Sequence, residues 1–332
     1  MIIYIIRRIL MLIPILILMS MVAFFLIELP PGDWVSTRIT QLEMSGVQVS
    51  EDEAARLIAQ YGLDKPMPVR YWRWVEGIVM RGNWGFSMQW NKPVNEILAE
   101  RVPMTIAISL SALLLSWAIA IPIGIYSATH QYSFLDYVFT ILGFIGAATP
   151  GFLLALILAW VLFAEFGFSM LGLYSREYLE APWSFAKFID LLKHIWLPLI
   201  LVGLGNTAAT IRVVRNNLLD ELNKQYVIAA RSKGLSEWKL LLKYPVRLAI
   251  NPLLSTMSWT LPGLVSGSVL IDIVLSLQTT GPVLLRATLA QDMYLAGSIV
   301  LILSALTVIG ALVGDLLLIL VNPRIRFGRA EK

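Results

Sequence analysis

The chain has 332 residues, of which 58% are hydrophobic and only 14% are charged. Because soluble domains carry about 25% charged residues, this composition excludes an ordinary soluble protein. The sequence has no cysteine, which excludes disulfides, thiolate metal sites and cysteine nucleophiles. The net charge is +4, so the placement of the basic residues decides between nucleic acid and a membrane as the partner.

Six stretches are long enough to cross a bilayer, which needs about 20 apolar residues. They are residues 9–29, 102–128, 134–164, 195–211, 248–271 and 293–321. None alternates apolar and polar residues as a barrel strand does, so the sequence predicts an all-α membrane protein with six transmembrane helices.

Arg7 and Arg8 precede the first stretch, as in a signal peptide. That stretch is longer than a signal core and lacks an A-x-A-like site, which predicts a retained span.

The basic residues of the termini and of the loop 212–247 fall on one side of such a six-span chain. This positive-inside bias predicts cytoplasmic N- and C-termini and explains the positive charge without nucleic acid. The predicted organisation has four parts: residues 1–29 (N-terminus and first span), 30–101 (an extracytoplasmic helical insertion), 102–321 (a five-span core) and 322–332 (a cytoplasmic tail).

Two features indicate that the long outer segment is folded. Ser50 and Glu53 form a capping box at the start of an amphipathic stretch, and Gly62 is a natural helix stop. The segment also contains four tryptophans, Trp72, Trp74, Trp84 and Trp90. Tryptophans anchor structures at the membrane surface, which is the interpretation we favour, although an external partner is an alternative.

Three polar residues, Asn206, Asp272 and Asp315, lie at or within predicted spans. A charge in a span is costly and raises the question of function. We favour a structural role, with Asp272 at the outer end of its span and Asp315 paired to a polar group between helices. The stretches 263–267 and 310–314 fit G-x-x-x-G, which predicts close helix packing.

Catalytic signatures are lacking in the sequence. It has no P-loop, no H-E-x-x-H and no G-x-S-x-G, and its two histidines lie far apart. A membrane-embedded enzyme is therefore less favoured. An ion-coupled secondary transporter is also less favoured, because it would need charges or histidines in mid-span and only Asp315 lies well inside a span. Proline-broken spans at Pro150, Pro198, Pro252 and Pro262 suit a cavity-lining transporter.

The loop 212–247 is rich in charged residues, although the segments on either side of it are strongly hydrophobic. Leucines at helical spacing predict that the helix continues from Arg212 to Lys233, and Ala229 and Ala230 offer a small surface for close approach. Gly234 then supplies a left-handed stop, and Ser236 caps a second short helix. A helix–glycine–helix elbow of this kind either docks a partner or lies on anionic lipid.

The stretch "AARSKGLS" resembles the EAA loop of ABC importer permeases, in the form found in dipeptide, oligopeptide and nickel permeases. The loop's usual glutamate falls on Ile228. The resemblance extends over nearly the whole chain, through "ELPPGD", "YGLDKP", "GNWGFS" and the final "PRIR". After Asp272 the chain departs from the family pattern F-x-x-P-G-L-G and reads "VLSLQTTGPVLL".

This resemblance implies a type I importer permease fold that carries peptides, or otherwise oligosaccharides or metal chelates, by alternating access. It implies four partners: a second homologous permease, two cytoplasmic ATPases and an outer substrate-binding protein. The chain itself would hold no cofactor or metal, since ATP and Mg would bind the ATPases. The ATPase-coupling residues would be Tyr226, Ala229, Ala230, Arg231, Lys233, Gly234, Leu235 and Ser236.

Overall fold

The computed structural model describes residues 2–29, 64–179 and 181–321, with single residues and pairs between positions 35 and 59. Its helices are α1 (Ile2–Glu28), α2 (Met67–Arg81), α3 (Val94–Thr129), α4 (Phe134–Ala148), α5 (Gly151–Phe166), α6 (Phe185–Leu222), α7 (Gln225–Ser232), α8 (Glu237–Lys243), α9 (Pro245–Ala249), α10 (Asn251–Val274), α11 (Thr280–Leu289) and α12 (Met293–Val321). Strands β1 (Phe86–Ser87) and β2 (Lys92–Pro93) form an antiparallel hairpin. The predicted capping box at Ser50 and Glu53, the stop at Gly62 and the tail 322–332 lie outside the described residues.

Within the described ranges, three helices are long and apolar enough to cross a membrane: α3, α6 and the segment Met293–Leu318 of α12. Helices α4 and α5 make a fourth span if they are counted together. Helices α1 and α10 contain shorter apolar segments, Ile13–Phe25 and Gly263–Val274. The chain is therefore a predominantly helical, multi-pass membrane protein, and the count of six spans stays a prediction.

The third predicted span is two helices, because α4 and α5 meet at an angle of 99°. Thr149 is extended, with φ −91° and ψ 125°, as expected for a residue that precedes a proline. Pro150 then starts α5 without an N–H of its own. The prediction that Pro150 and Gly151 interrupt the helix of this span is confirmed.

The described residues fall into two compact units, residues 1–104 with 279–306 and residues 105–278 with 307–332. The first unit has an aromatic core, in which Phe24 lies 5.5 Å from Trp74 and 5.6 Å from Tyr71 between ring centroids. Nε1 of Trp74 donates to the carbonyl of Trp84 at 3.2 Å. Trp84 and Trp90 are partly buried, whereas Trp72 is 68% exposed. Three of the four predicted anchors thus pack within this unit.

The second unit is organised around α6, which packs against α4, α9 and α10. Glycines bring its backbones together. A Cβ on Gly314 of α12 would lie 2.7 Å from the carbonyl oxygen of Leu254 on α10. Close packing is therefore confirmed for the second G-x-x-x-G stretch. It is wrong for the first, since no described atom lies within 4 Å of a Cβ placed on Gly263 or Gly267.

Candidate functional site

The segment Gln225–Lys243, which we call the elbow, follows directly on α6. The predicted continuous helix from Arg212 to Lys233 is wrong, because α6 ends at Leu222 and α7 begins at Gln225. Lys224 is extended between them, with ψ 148°. The break is stabilised by Glu221, whose carboxylate accepts hydrogen bonds from Lys224 Nζ at 2.8 Å and from the Tyr226 hydroxyl.

Tyr226 is fixed in its protonated form. Its burial, together with the neighbouring Glu221 carboxylate, raises the pKa of Tyr226 well above the ordinary value. The hydroxyl therefore remains a donor to Glu221 at physiological pH. As a result, α7 is tied to the end of α6 by a hydrogen bond whose donor stays protonated.

Gly234 turns the elbow as the sequence predicts. Its φ is +75°, in the left-handed region, and its N–H donates to the carbonyl of Arg231 at 3.0 Å. Across the turn, Arg231 Nε and Nη2 donate to Glu237 Oε1 and Oε2 at 2.6 and 3.1 Å. Ser236 stands at the predicted N-cap position of α8, but its side chain makes no capping hydrogen bond.

The inner face of the elbow is packed. Val227, Ala230 and Leu240 are buried together, with Tyr226, Leu235 and Tyr244 around them. Of the predicted coupling residues, Ala230 thus faces inward and Tyr226 and Leu235 are half-buried. A partner surface can reach the five others, namely Ala229, Arg231, Lys233, Gly234 and Ser236.

Three exposed apolar residues, which define the outer face of the elbow, were missed in the sequence. Ile228 is 46%, Trp238 is 65% and Leu242 is 46% exposed. Ile228 lies on α7, and the other two lie on α8. The helical pattern of the elbow is short, so the sequence alone does not separate its inner and outer apolar residues. Exposed apolar side chains that form one contiguous patch mark an interaction surface.

A cavity of about 560 Å³ opens in the same unit, where α4 and α5 meet α6 and α10. Its volume lies within the usual range for small-molecule sites, about 300–1,000 Å³. Its lining includes Thr149, Gly205, Asn206, Thr260, Gly263 and Gly267, and none of the described lining residues is charged. Since no described atom lies within 4 Å of a Cβ placed on Gly205, Gly263 or Gly267, these glycines keep the cavity wide.

The predicted intramembrane polar residues occupy different surroundings. Asn206 lies in the cavity wall and donates through Nδ2 to Ser116 Oγ at 3.1 Å. Asp272 is 1% exposed near the end of α10 and accepts from Ser268 Oγ at 3.1 Å. Asp315 is half-buried on α12. The structure does not bring these three side chains into one cluster in the cavity lining.

Two families of transport proteins match this chain. The family described as "Binding-protein-dependent transport system inner membrane component" matches residues 120–327. The family described as "Binding-prot-dependent transport system membrane comp, N-term" matches residues 1–109. The chain therefore belongs to the binding-protein-dependent transport system inner membrane components.

Individual relatives are similar in sequence to this chain over nearly their whole length. The chain is 32% identical to the oligopeptide transport system permease protein AppB of Bacillus subtilis, over 98% of this chain and 99% of that protein. It is 30% identical to a putative peptide permease protein of Brucella suis, covering 97% and 98%. It is 28% identical to the dipeptide transport system permease protein DppB of Alkalihalophilus pseudofirmus, covering 98% and 99%. This chain is a permease subunit of an ABC importer in the inner membrane, and not an enzyme.

Proposed function

We propose that the chain forms half of the pathway of an importer for peptides or similar small polar solutes, and that partner ATPases drive it through the elbow. The single observation that carries the coupling role is the outer face of the elbow, where Ile228 and Trp238 are exposed on a packed element. Helices α7 and α8 are too short to be stable alone, so their internal packing keeps them in one arrangement.

The cavity supports the pathway role. Its glycines leave open space, and its polar groups are neutral: Asn206, Thr149 and Thr260. The two threonine hydroxyls donate to carbonyls of their own helices, so their oxygens remain acceptors for a solute. Such a lining offers hydrogen bonds without holding a charged solute tightly, which suits passage better than retention.

Peptides are the favoured solutes because the similar proteins of Bacillus subtilis, Brucella suis and Alkalihalophilus pseudofirmus are named for oligopeptide, peptide and dipeptide transport. Oligosaccharides and metal chelates are the alternatives for the same transporter type. Uptake of labelled dipeptides, maltooligosaccharides and a nickel chelate by the reconstituted importer separates these three.

The partners of this proposal are a second homologous permease, two cytoplasmic ATPase subunits that bind ATP and Mg, and an outer substrate-binding protein. The chain itself would need no cofactor. The cytoplasmic face would be the one that carries the elbow and both termini, since Lys and Arg concentrate there. The membrane would be the cytoplasmic membrane of a bacterium or archaeon, with six spans of this chain.

Site-specific cross-linking tests the coupling role, and the absence of cysteine makes any introduced thiol unique. Ala229→Cys places a thiol on the exposed face of α7. Leu179→Cys, at a position that is 48% exposed outside the elbow, is the matched control. In membranes that contain the co-expressed importer, the Ala229→Cys variant should cross-link to an ATPase subunit, and the Leu179→Cys variant should not.

The competing interpretation is that the elbow lies on anionic lipid. A thiol at position 229 would then label with a lipid-soluble maleimide and would give no ATPase adduct. That result would overturn the coupling proposal while leaving the membership of the family intact.

A further inference from the structure

An ion pair joins α6 to the first turn of α4. Nε and Nη2 of Arg215 donate to Oδ1 and Oδ2 of Asp136 at 3.1 and 3.0 Å. Asp136 is 3% exposed, and the Arg215 side chain is 21% exposed. A bidentate, partly buried pair of this kind fixes the relative orientation of two helices as well as their distance.

Asp136 also holds the turn before α4. Its Oδ2 accepts the N–H of Tyr132 at 3.0 Å, and Tyr132 has a φ of +64°, which is uncommon for a residue other than glycine. The Asp136 N–H in turn donates to Ser133 Oγ, the N-cap of α4. One carboxylate thus fixes the start of α4, the preceding turn and the position of α6.

The same part of α6 carries the elbow. Arg215 lies two turns before the end of α6 at Leu222, and Glu221 ties that end to α7 through Tyr226. Between them, Leu218 is fully buried with Leu241 of α8 and Val246 of α9. Helix α8 of the elbow and the end of α6 therefore share one core.

The far end of α4 forms the wall of the cavity. Helix α4 has 15 residues, so it extends about 22 Å. Gly146 and Ala147 at its C-terminal end line the cavity, together with Thr149 and Pro150 at the junction with α5. A continuous helix thus connects the ion pair at one end with the cavity wall at the other.

We propose that Asp136 and Arg215 are a positioning pair that transmits movement of the elbow to α4 and so to the cavity wall. This inference rests on the proposed coupling role of the elbow. The pair does not contact the ATPase or the solute. Its part is to make α4 follow α6, so that closure of the ATPases changes the shape of the cavity.

The experiment measures solute uptake and ATP hydrolysis separately, in proteoliposomes that contain the complete importer. The quantity of interest is the number of solutes imported per ATP hydrolysed. Asp136→Asn and Arg215→Gln should lower this ratio about tenfold, while ATP hydrolysis and co-purification of the ATPases persist.

Arg212→Gln is the matched control. Arg212 lies one turn away on α6, is exposed, and makes no ion pair with any described residue, although it stacks over Phe144 at 5.5 Å. This variant loses the same charge from the same helix and a contact with Phe144 of α4. Its ratio should still stay near that of the unaltered importer, because the ring contact lacks the two-pronged geometry that orients α4. A ratio that falls equally in the Arg212→Gln variant would reject the special role of the pair.

Removing one partner of a buried pair can also prevent folding. Arg215→Lys keeps the charge but loses the two-pronged geometry, and it should fold and show an intermediate ratio. An unchanged ratio in this variant, or in the other single variants, would overturn the proposal. So would a parallel loss of hydrolysis, uptake and assembly in every single variant. Failure of the coupling role itself is recognised separately, since the Ala229→Cys variant would then give no ATPase adduct.

Discussion

The Ser87 hydroxyl donates a 2.6 Å hydrogen bond to Oδ2 of Asp292, across 205 positions of sequence. The same carboxylate accepts the N–H of Gln89 at 3.1 Å and, through Oδ1, the N–H of Leu295 at 3.3 Å. Asp292 is fully buried. The Asp292 side chain thereby connects the β1–β2 hairpin to the start of α12 by hydrogen bonds.

Asp292→Ala should destabilise this unit by about 3 kcal/mol, because several buried donors lose their acceptor together. Thermal unfolding of the purified chain in detergent, followed by tryptophan fluorescence, measures the loss. Asp64→Ala is the control, since Asp64 is exposed and pairs only with neighbouring Lys65 among the described residues. Equal effects of the two substitutions would contradict the role of Asp292 as a fastening point.

The same carboxylate predicts a pH dependence. Burial raises the pKa of Asp292 above its ordinary 3.8, although the hydrogen bonds from Ser87, Gln89 and Leu295 oppose this rise. A raised folded-state pKa means that the contribution to stability is complete below pH 3.8 and is lost as the pH rises through the folded-state pKa. The Asp292→Asn variant does not titrate at this position, so its unfolding midpoint should fall less than that of the unaltered chain over this range. Parallel pH profiles for the two proteins would refute the assignment.

Gly234→Val should abolish ATP-driven uptake while the chain still inserts into the membrane. The left-handed conformation costs an ordinary residue about 1–2 kcal/mol, and a β-branched side chain tolerates it least. Space is not the obstacle, because no described atom lies within 4 Å of a Cβ placed there. Gly234→Asn is the matched variant, since asparagine accepts this conformation, and it should retain most of the uptake. Normal uptake in the Gly234→Val variant would count heavily against the elbow as the coupling element.

Gly314 on α12 and Gly263 on α10 predict opposite results for the same small substitution. Gly314→Ala should cost about 1–3 kcal/mol, because the new methyl group would meet the carbonyl oxygen of Leu254 at 2.7 Å. Gly263→Ala should be neutral or slightly stabilising, since it meets open space and alanine favours a helix. Unfolding midpoints of the two variants in detergent decide the matter, and the reverse order would contradict the packing of α10 against α12.

A large side chain at Gly267 should block the pathway. Gly267→Leu should fold, because the position is open, and should fill part of the cavity. Uptake by the reconstituted importer should fall several-fold, and more for longer peptides than for dipeptides. Leu285→Phe, at an exposed position of α11 outside the cavity lining, is the control and should leave uptake unchanged. Unimpaired uptake in the Gly267→Leu variant would exclude this cavity from the pathway.

The sequence by itself determined the helical membrane class, the family, the place of the elbow and its turn at Gly234. Each of these depends on residues within a few turns of one another: an apolar run, a motif, or a glycine between two short helices. Hydropathy and backbone preference are local properties, so they can be read along the chain.

The tertiary structure alone decided which residues meet. Asp136 contacts Arg215, which is 79 positions away in the sequence, and Asp292 contacts Ser87, which is 205 positions away. Gly263 and Gly314 belong to two stretches that fit the same G-x-x-x-G pattern, yet Gly263 lines a cavity and Gly314 approaches a backbone carbonyl. At the break between α6 and α7, Glu221 accepts hydrogen bonds from Lys224 and Tyr226. Contacts of this kind follow from how helices pack against one another, and no local pattern of residues records that packing.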